Sequence, residues 1–216
     1  MKKAILMVFF MATTAIATAQ NLYVESGKST TSFDYKNSQG TSLENLQATN
    51  QSFMAIGCQN QLFIAKLQAY AGLHYASYGA IGSDPAIGSF MEWEVNYAGI
   101  DVGFDYDVVD IKKASVYLKG GLSAAHFIQG TQNLNNSVSD LKNNDDFDTN
   151  LITLQIGVGV AYPISNHLSL YTQYLYGKSF DMIKGDESLK IKSTSISFGL
   201  LIDISKEGIK ETKKRK

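Results

Sequence analysis

Between Leu151 and Tyr162 every even-numbered residue is apolar (Ile152, Leu154, Ile156, Val158, Val160, Tyr162), and most odd ones are Thr, Gln, Gly or Ala. Successive side chains of an extended chain point to opposite faces, so this stretch reads as a strand with one greasy face and one small or polar face. The pattern recurs. Ala69, Ala71, Leu73 and Tyr75 oppose Gln68, Tyr70, Gly72 and His74; Ala98, Ile100, Val102, Phe104 and Tyr106 oppose Gly99, Asp101, Gly103 and Asp105. Val116, Leu118, Leu122 and Ala124 oppose Ser115, Tyr117, Lys119 and Ser123, and Ile196, Phe198, Leu200 and Ile202 oppose Ser195, Ser197, Gly199 and Asp203. The polar faces are too rich in Gly, Ser and charge to fill a dry core. The apolar faces run without charge over about 9–11 residues, the span of a tilted membrane strand. The expected fold class is therefore all-β: an antiparallel, up-and-down transmembrane barrel.

Eight strands are expected, near 22–36, 52–59, 62–79, 91–108, 113–129, 150–164, 168–180 and 190–204. The connections alternate in length. A tight turn at Asn60-Gln61, a second at 109–112 and a third at 165–167 are short; the others are long and polar, with 37–51 and 130–149 the longest. Short periplasmic turns opposite long external loops are what an outer-membrane barrel shows. An even strand number puts both ends of the barrel on the periplasmic side. Two stretches fit the alternation badly: the first strand, and Trp93, Val95 and Tyr97, which switch parity relative to Ile100 onward. A bulge near Gly99, or emergence of 91–96 above the lipid, accounts for the switch.

The N-terminus reads as an export signal: Lys2 and Lys3, an apolar run from Ala4 to Met11, and Ala17-Thr18-Ala19 as an A-x-A cleavage site. The expected organisation is a signal peptide over 1–19, a barrel over 20–204 and a basic periplasmic tail over 205–216. With 19 Lys and Arg against 20 Asp and Glu, the chain is too balanced for a nucleic-acid binder. Cys58 is the lone cysteine, so no internal disulfide holds the fold together. A closed hydrogen-bonded sheet does that instead.

With the signal, the loop asymmetry and segments such as 154–162 and 195–200 in place, the chain resembles the small eight-stranded outer-membrane barrels of the OmpA/OmpX type, porin-family barrels of Gram-negative bacteria. The resemblance covers about 22–204 and implies a location in the outer membrane. One departure is that Phe198 lies inside the last strand and a basic segment follows Ile204, where such barrels commonly end on an aromatic residue.

Candidate chemistry is sparse. Some barrels of this size modify lipids with a His-x-Ser pair, but here only His167-Leu168-Ser169 matches, at an expected periplasmic turn. His74 is expected to face the interior as a hydrogen-bonding residue. The aspartates of 140–150 match no calcium loop. No catalytic residue, cofactor or metal ligand set is expected, and the chain is read as a non-enzyme. The expected role is structural or that of a low-conductance pore. The alternatives are a binding module (adhesin or receptor through the external loops, or barrel subunit of a larger complex) and, as a minor third, a lipid-modifying enzyme. Expected partners are outer-membrane lipid and other outer-membrane or periplasmic proteins reached through the loops or the tail.

The interior yields the sharpest expectation. An eight-stranded barrel is just wide enough for side chains to fill, and charges inside it must pair. Centring the fourth-to-fifth turn near Asp110 sets Lys119 opposite Asp101, with Lys66 entering the same interior and Glu25 or Asp105 closing the network. Gly157 is placed on the interior side, where a serine should be tolerated better than an arginine at Val158 or Leu118.

Overall fold

The computed structural model describes residues 20–42, 46–84, 89–142, 147, 149–182 and 187–204. The expected signal peptide (1–19) and basic tail (205–216) lie outside them. Every regular element among these residues is a strand: β1 (Asn21–Lys36), β2 (Gln47–Gln61), β3 (Leu67–Asp84), β4 (Ser89–Ile111), β5 (Ala114–Leu134), β6 (Ser137–Asp140), β7 (Asn150–Ser165), β8 (Leu168–Ser179) and β9 (Ser188–Asp203).

All neighbours pair antiparallel, and the sheet closes on itself. β1 pairs with β9 along its whole length, from Asn21–Asp203 to Lys36–Ser188, while β4 pairs with β5 and β5 with β7. Eight strands form the ring. β6 is a short spur that pairs with β5 beyond it, through a turn in which Asn135 and Asn136 take left-handed φ angles of 49° and 67°. Asparagine tolerates that region, which a tight hairpin turn of matching twist requires. The ladder also slants. From Lys28 it runs through Ile196, Tyr174, Val158, Leu118 and Tyr106 to Leu67 at the base of β3, whereas from Gly27 through Phe53 it meets β3 at Ala76. Such stagger is the tilt that closure of a barrel demands.

The eight-stranded barrel, its alternation on β3, β4, β5, β7 and β9, and the pairing of both barrel ends are as the sequence reading had them. Four details differ. The β2–β3 turn is 62–66, not Asn60-Gln61: Leu62 N–H donates to the Leu67 carbonyl at 2.9 Å, and the Gln61 side chain donates to the carbonyls of Ile64 and Leu67. Phe63 consequently sits fully exposed on the turn and not on a strand face. The β3–β4 connection is 85–88, because both strands continue well past the lipid-facing stretch. Trp93, Val95 and Tyr97 do not change parity. Odd residues of β4 point inward from Trp93 to Asp107, and Val95 and Tyr97 are fully buried; the irregularity at this end is on β5, where Ile128 has no partner between Phe127 and Gln129. Finally, β1 alternates in burial but not in polarity. Val24, Ser26, Lys28 and Thr30 all face outward, with Lys28 Nζ donating to Ser52 Oγ at 2.7 Å and Thr30 Oγ1 to Asn50 Oδ1 at 3.0 Å. The outward surface is thus apolar around most of the ring but carries a polar patch on β1 and β2.

That patch adjoins an interruption of the β2–β3 ladder between Ala48 and Phe53. Thr31, fully buried on β1, bridges the gap. Its hydroxyl donates to the Gly79 carbonyl at 2.9 Å and accepts from the Gly79 N–H at 2.8 Å. Thr31→Val keeps the shape and orphans two buried backbone groups, so it should cost about 2–4 kcal/mol, measured by urea unfolding in lipid vesicles. An unchanged midpoint would contradict the bridge.

Leu118 and Val158 are 53% and 41% exposed on the outward face. Arginine at either should cost about 2–4 kcal/mol near the bilayer midplane. Gly157 faces inward as expected, yet a Cβ there would collide with the Tyr174 carbonyl oxygen and the Leu175 backbone. Serine at this position therefore carries a steric cost of its own, which the sequence expectation left out. Gly120→Ala is the tolerated counterpart, since a Cβ there points into open space. In the same unfolding assay Gly120→Ala should stay within about 0.5 kcal/mol of wild type while Gly157→Ser falls well below it.

Candidate functional site: the barrel interior

Inward-facing residues stack in three layers. At the turn end lies a polar network. Glu25 on β1 accepts hydrogen bonds from Tyr171 (3.0 Å), Gln173 (2.7 Å) and Ser197 (3.3 Å), and Gln173 in turn accepts from the Tyr117 hydroxyl at 3.0 Å. Across the interior, Lys119 Nζ lies 3.3 Å from Asp105 Oδ1, and Gln59 donates to Asp105 Oδ2 at 2.8 Å. The ammonium also sits 3.5 Å from the Tyr70 ring centre, where the ring face attracts a cation. Gln68 and Ser115 donate to Asp107. Every charge in this layer has polar partners, as burial requires.

The tyrosines of this layer lie along the wall because glycines make room for them. Tyr23 covers Gly72, Tyr70 covers Gly121, Tyr117 covers Gly159 and Tyr171 covers Gly199, in each case so closely that any Cβ would strike the ring or its hydroxyl. Glycine in a strand interior commonly marks such a close approach.

The middle layer holds His74, Asp101 and Ser123. His74 Nδ1 is 3.0 Å from Asp101 Oδ2, and His74 Nε2 is 3.5 Å from Ser123 Oγ. The Nδ1–Oδ2 approach is close but not directed as a hydrogen bond, and Asp101 Oδ1 has no hydrogen-bond partner. The residue types are those of a hydrolase triad. The geometry is not, because the Ser–His contact is long and the strand N–H groups that an oxyanion would need are engaged in the ladder.

The loop end is apolar. Phe33, Tyr78, Ala80, Val95, Tyr97, Phe127, Leu151, Leu189 and Ile191 point inward, and Leu141, Phe147 and Met182 fold back from the connections to complete the cluster. The Tyr97 hydroxyl donates to the Phe147 carbonyl at 2.8 Å, which ties the β6–β7 connection into the mouth. Phe33 packs on Phe147, and Tyr97 meets Phe127 and Tyr78 edge-on. The interior keeps two cavities of about 60 and 50 Å³, one within the polar layer and lined by Tyr23, Tyr70, Asp105 and Lys119, the other beside the middle layer and lined by His74, Tyr78, Asp101 and Leu175. Each has room for a few water molecules.

Four of the five residues singled out for the interior are there, but not all as paired. Lys119 meets Asp105, not Asp101; Asp101 lies opposite Ser123 and approaches His74. The β4–β5 turn is centred on Lys112-Lys113, not near Asp110, and Val108 bulges, which moves the register by several residues. Lys66 is not in the interior. It occupies the β2–β3 turn with a φ of 69°. His167-Leu168-Ser169 lies at the β7–β8 turn. Sequence reasoning missed the apolar plug, although the signal was present in the apolar run Trp93, Val95, Tyr97 on the inward parity of β4. Among the described residues no group of three His, Cys, Asp or Glu is placed to hold a metal.

A family model described as the outer membrane protein beta-barrel domain matches residues 4–201. The chain belongs to this family. Solved structures similar to it include Neisserial surface protein A (17% identity, TM-score 0.45, covering 85% of this chain and 97% of that one) and OprG from Pseudomonas aeruginosa (10%, 0.45, 86% and 97%). The outer membrane protease OmpT from Escherichia coli is another (10%, 0.44, 87% and 98%). No curated protein matches the chain.

The Lys119–Asp105 pair offers a direct check. Lys119→Met strands the carboxylate of Asp105 and should cost about 3–5 kcal/mol. Adding Asp105→Asn should recover most of that loss in the same urea titration. A double variant as unstable as the sum of the singles would contradict the pairing.

Proposed function

We propose that this protein is a sealed outer-membrane barrel: a non-conducting structural element, exported through a signal peptide removed after Ala19, with its turns and basic tail in the periplasm. The observation that supports this most strongly is the apolar plug at the loop end. An ion crossing the interior would have to shed its water among Phe33, Val95, Tyr97, Phe127 and Phe147, where the described residues offer no charged group to replace it and the Tyr97 hydroxyl is already spent on the Phe147 carbonyl, and burial of an unpaired ion is prohibitive. The polar layer below is a second barrier.

A catalytic role for Ser123, His74 and Asp101 is disfavoured by access. The adjoining cavity of about 50 Å³ admits no acyl chain or peptide. A recognition role for the loop end is the second reading. There β4, β5 and β6 rise beyond the ring as a ribbon with Phe90, Leu134 and Val138 exposed, and isolation of native complexes tests it.

Planar-bilayer recording tests the seal. Wild-type protein should give no long-lived conductance, and Lys119→Ala should remain silent because the plug above it is intact. A stable channel in wild-type protein would overturn the sealed reading.

A further inference from the structure

The outward surface is electrically lopsided at its loop end. On β1, β8 and β9, Lys28, Lys178, Lys190 and Lys192 all take outward parity. Lys178 and Lys192 are direct cross-strand partners, an arrangement of like charges that is unfavourable without an anion nearby. Asp34 supplies one, 2.9 Å from Lys192, and Asp181 lies 3.6 Å from Lys190. No carboxylate meets Lys28 or Lys178 among the described residues. Lys28 holds Ser52, and the hydroxyls of Thr30, Ser32 and Thr194 lie between the lysines on the same outward face. On the other side of the ring, the corresponding end of β4 presents Glu92 and Glu94, both exposed.

The lysines also stand at a definite depth. Directly below Lys178 and Lys192 on the same strands come Tyr174, Tyr176, Ile196, Phe198 and Leu200, all outward. Cations and hydroxyls at the upper boundary of an apolar wall match one kind of occupant. It is an amphiphile with phosphate groups at the bilayer surface, sugar hydroxyls beside them and acyl chains running down the wall. Lys28 sits lower, level with Ile196 on one side and Ser52 on the other, and its ammonium donates to the Ser52 hydroxyl at 2.7 Å.

We propose that the β1–β9–β8 face binds a phosphorylated, multiply acylated glycolipid of the outer leaflet, with Lys28 and Lys178 as its phosphate contacts and Lys192 positioned by Asp34 beside them. The glutamates of β4 repel the same headgroup, so the lipid occupies one side of the barrel only.

The test uses the full chain in nanodiscs of zwitterionic phosphatidylcholine, titrated with diphosphoryl lipid A and read by native mass spectrometry for bound lipid and subunit number. Wild-type protein should retain the lipid as a monomer. Lys28→Gln/Lys178→Gln should bind it roughly thirtyfold more weakly, since each lysine at an anionic surface contributes about fivefold, and heat-modifiable gel migration confirms that this variant is folded. Glu92→Gln/Glu94→Gln should bind at least as well as wild type, and dephosphorylated lipid A should bind no better to wild type than to the lysine variant. The proposal is overturned by equal binding to wild type and the lysine variant, or by equal binding of the dephosphorylated lipid. Displacement by millimolar inorganic phosphate would make the site one for the free anion. Dimers that vanish in both the lysine and glutamate variants would make the face a contact between copies.

Discussion

In hydrocarbon no water is available to a free N–H or C=O, so a strand can cross a membrane only if both of its edges are paired. The pairing of β1 with β9 over their full lengths meets this condition and makes the sheet a ring. Other features answer to the same demand. The slant of the ladder follows from closure. Where β2 leaves the β2–β3 ladder, the Thr31 hydroxyl takes over both backbone groups of Gly79, a side chain standing in for a missing stretch of strand.

Closure with eight strands leaves an interior narrower than a channel. Here it is filled by two unlike solutions. Near the turns, charge is kept but neutralised: Lys119 is held by Asp105 and the Tyr70 ring, and Glu25 by Tyr171, Gln173 and Ser197. Toward the loops, charge is absent and aromatic rings pack as in a soluble core, with Phe147 and Leu141 drawn down from the connections. The transition passes through His74 and Asp101, whose Oδ1 has no hydrogen-bond partner among the described residues. The outer surface is sorted less strictly, and its polar part gathers on β2, β1, β9 and β8 about the closing seam.

Much of this was legible in the sequence, because period-two polarity reports directly which face meets lipid. It told the outward residues of β4, β5, β7 and β9 correctly and gave the number of strands in the ring. It failed where polarity and direction part company. On β1 the outward Ser26, Lys28 and Thr30 hide a regular alternation. On β4 the inward Val95 and Tyr97 look like lipid-facing residues because a soluble-like core lies above the polar layer. Register was also beyond reach. Pairing across a hairpin depends on which turn residue takes a left-handed φ and where a residue bulges; Lys112 and Val108 decide it for β4 and β5. Hence Lys119 found Asp105 and not Asp101, and Lys66, taken for an interior cation, proved to be the left-handed residue of a turn. The plug residues Leu141, Phe147 and Met182 belong to connections, whose return into the barrel no periodic pattern records.

The central claim is that one face of each strand meets lipid and the other meets a filled interior. Spin labels along β7 measure both at once, after Cys58→Ala removes the native thiol. Labels at 154, 156 and 158 should collide with lipid-dissolved oxygen and not with a water-soluble nickel chelate. Labels at 153 and 155 should be protected from both, and immobile. Strong nickel-chelate accessibility at 153 and 155 would show a water-filled channel, and oxygen accessibility without alternation along the strand would contradict the barrel wall described here.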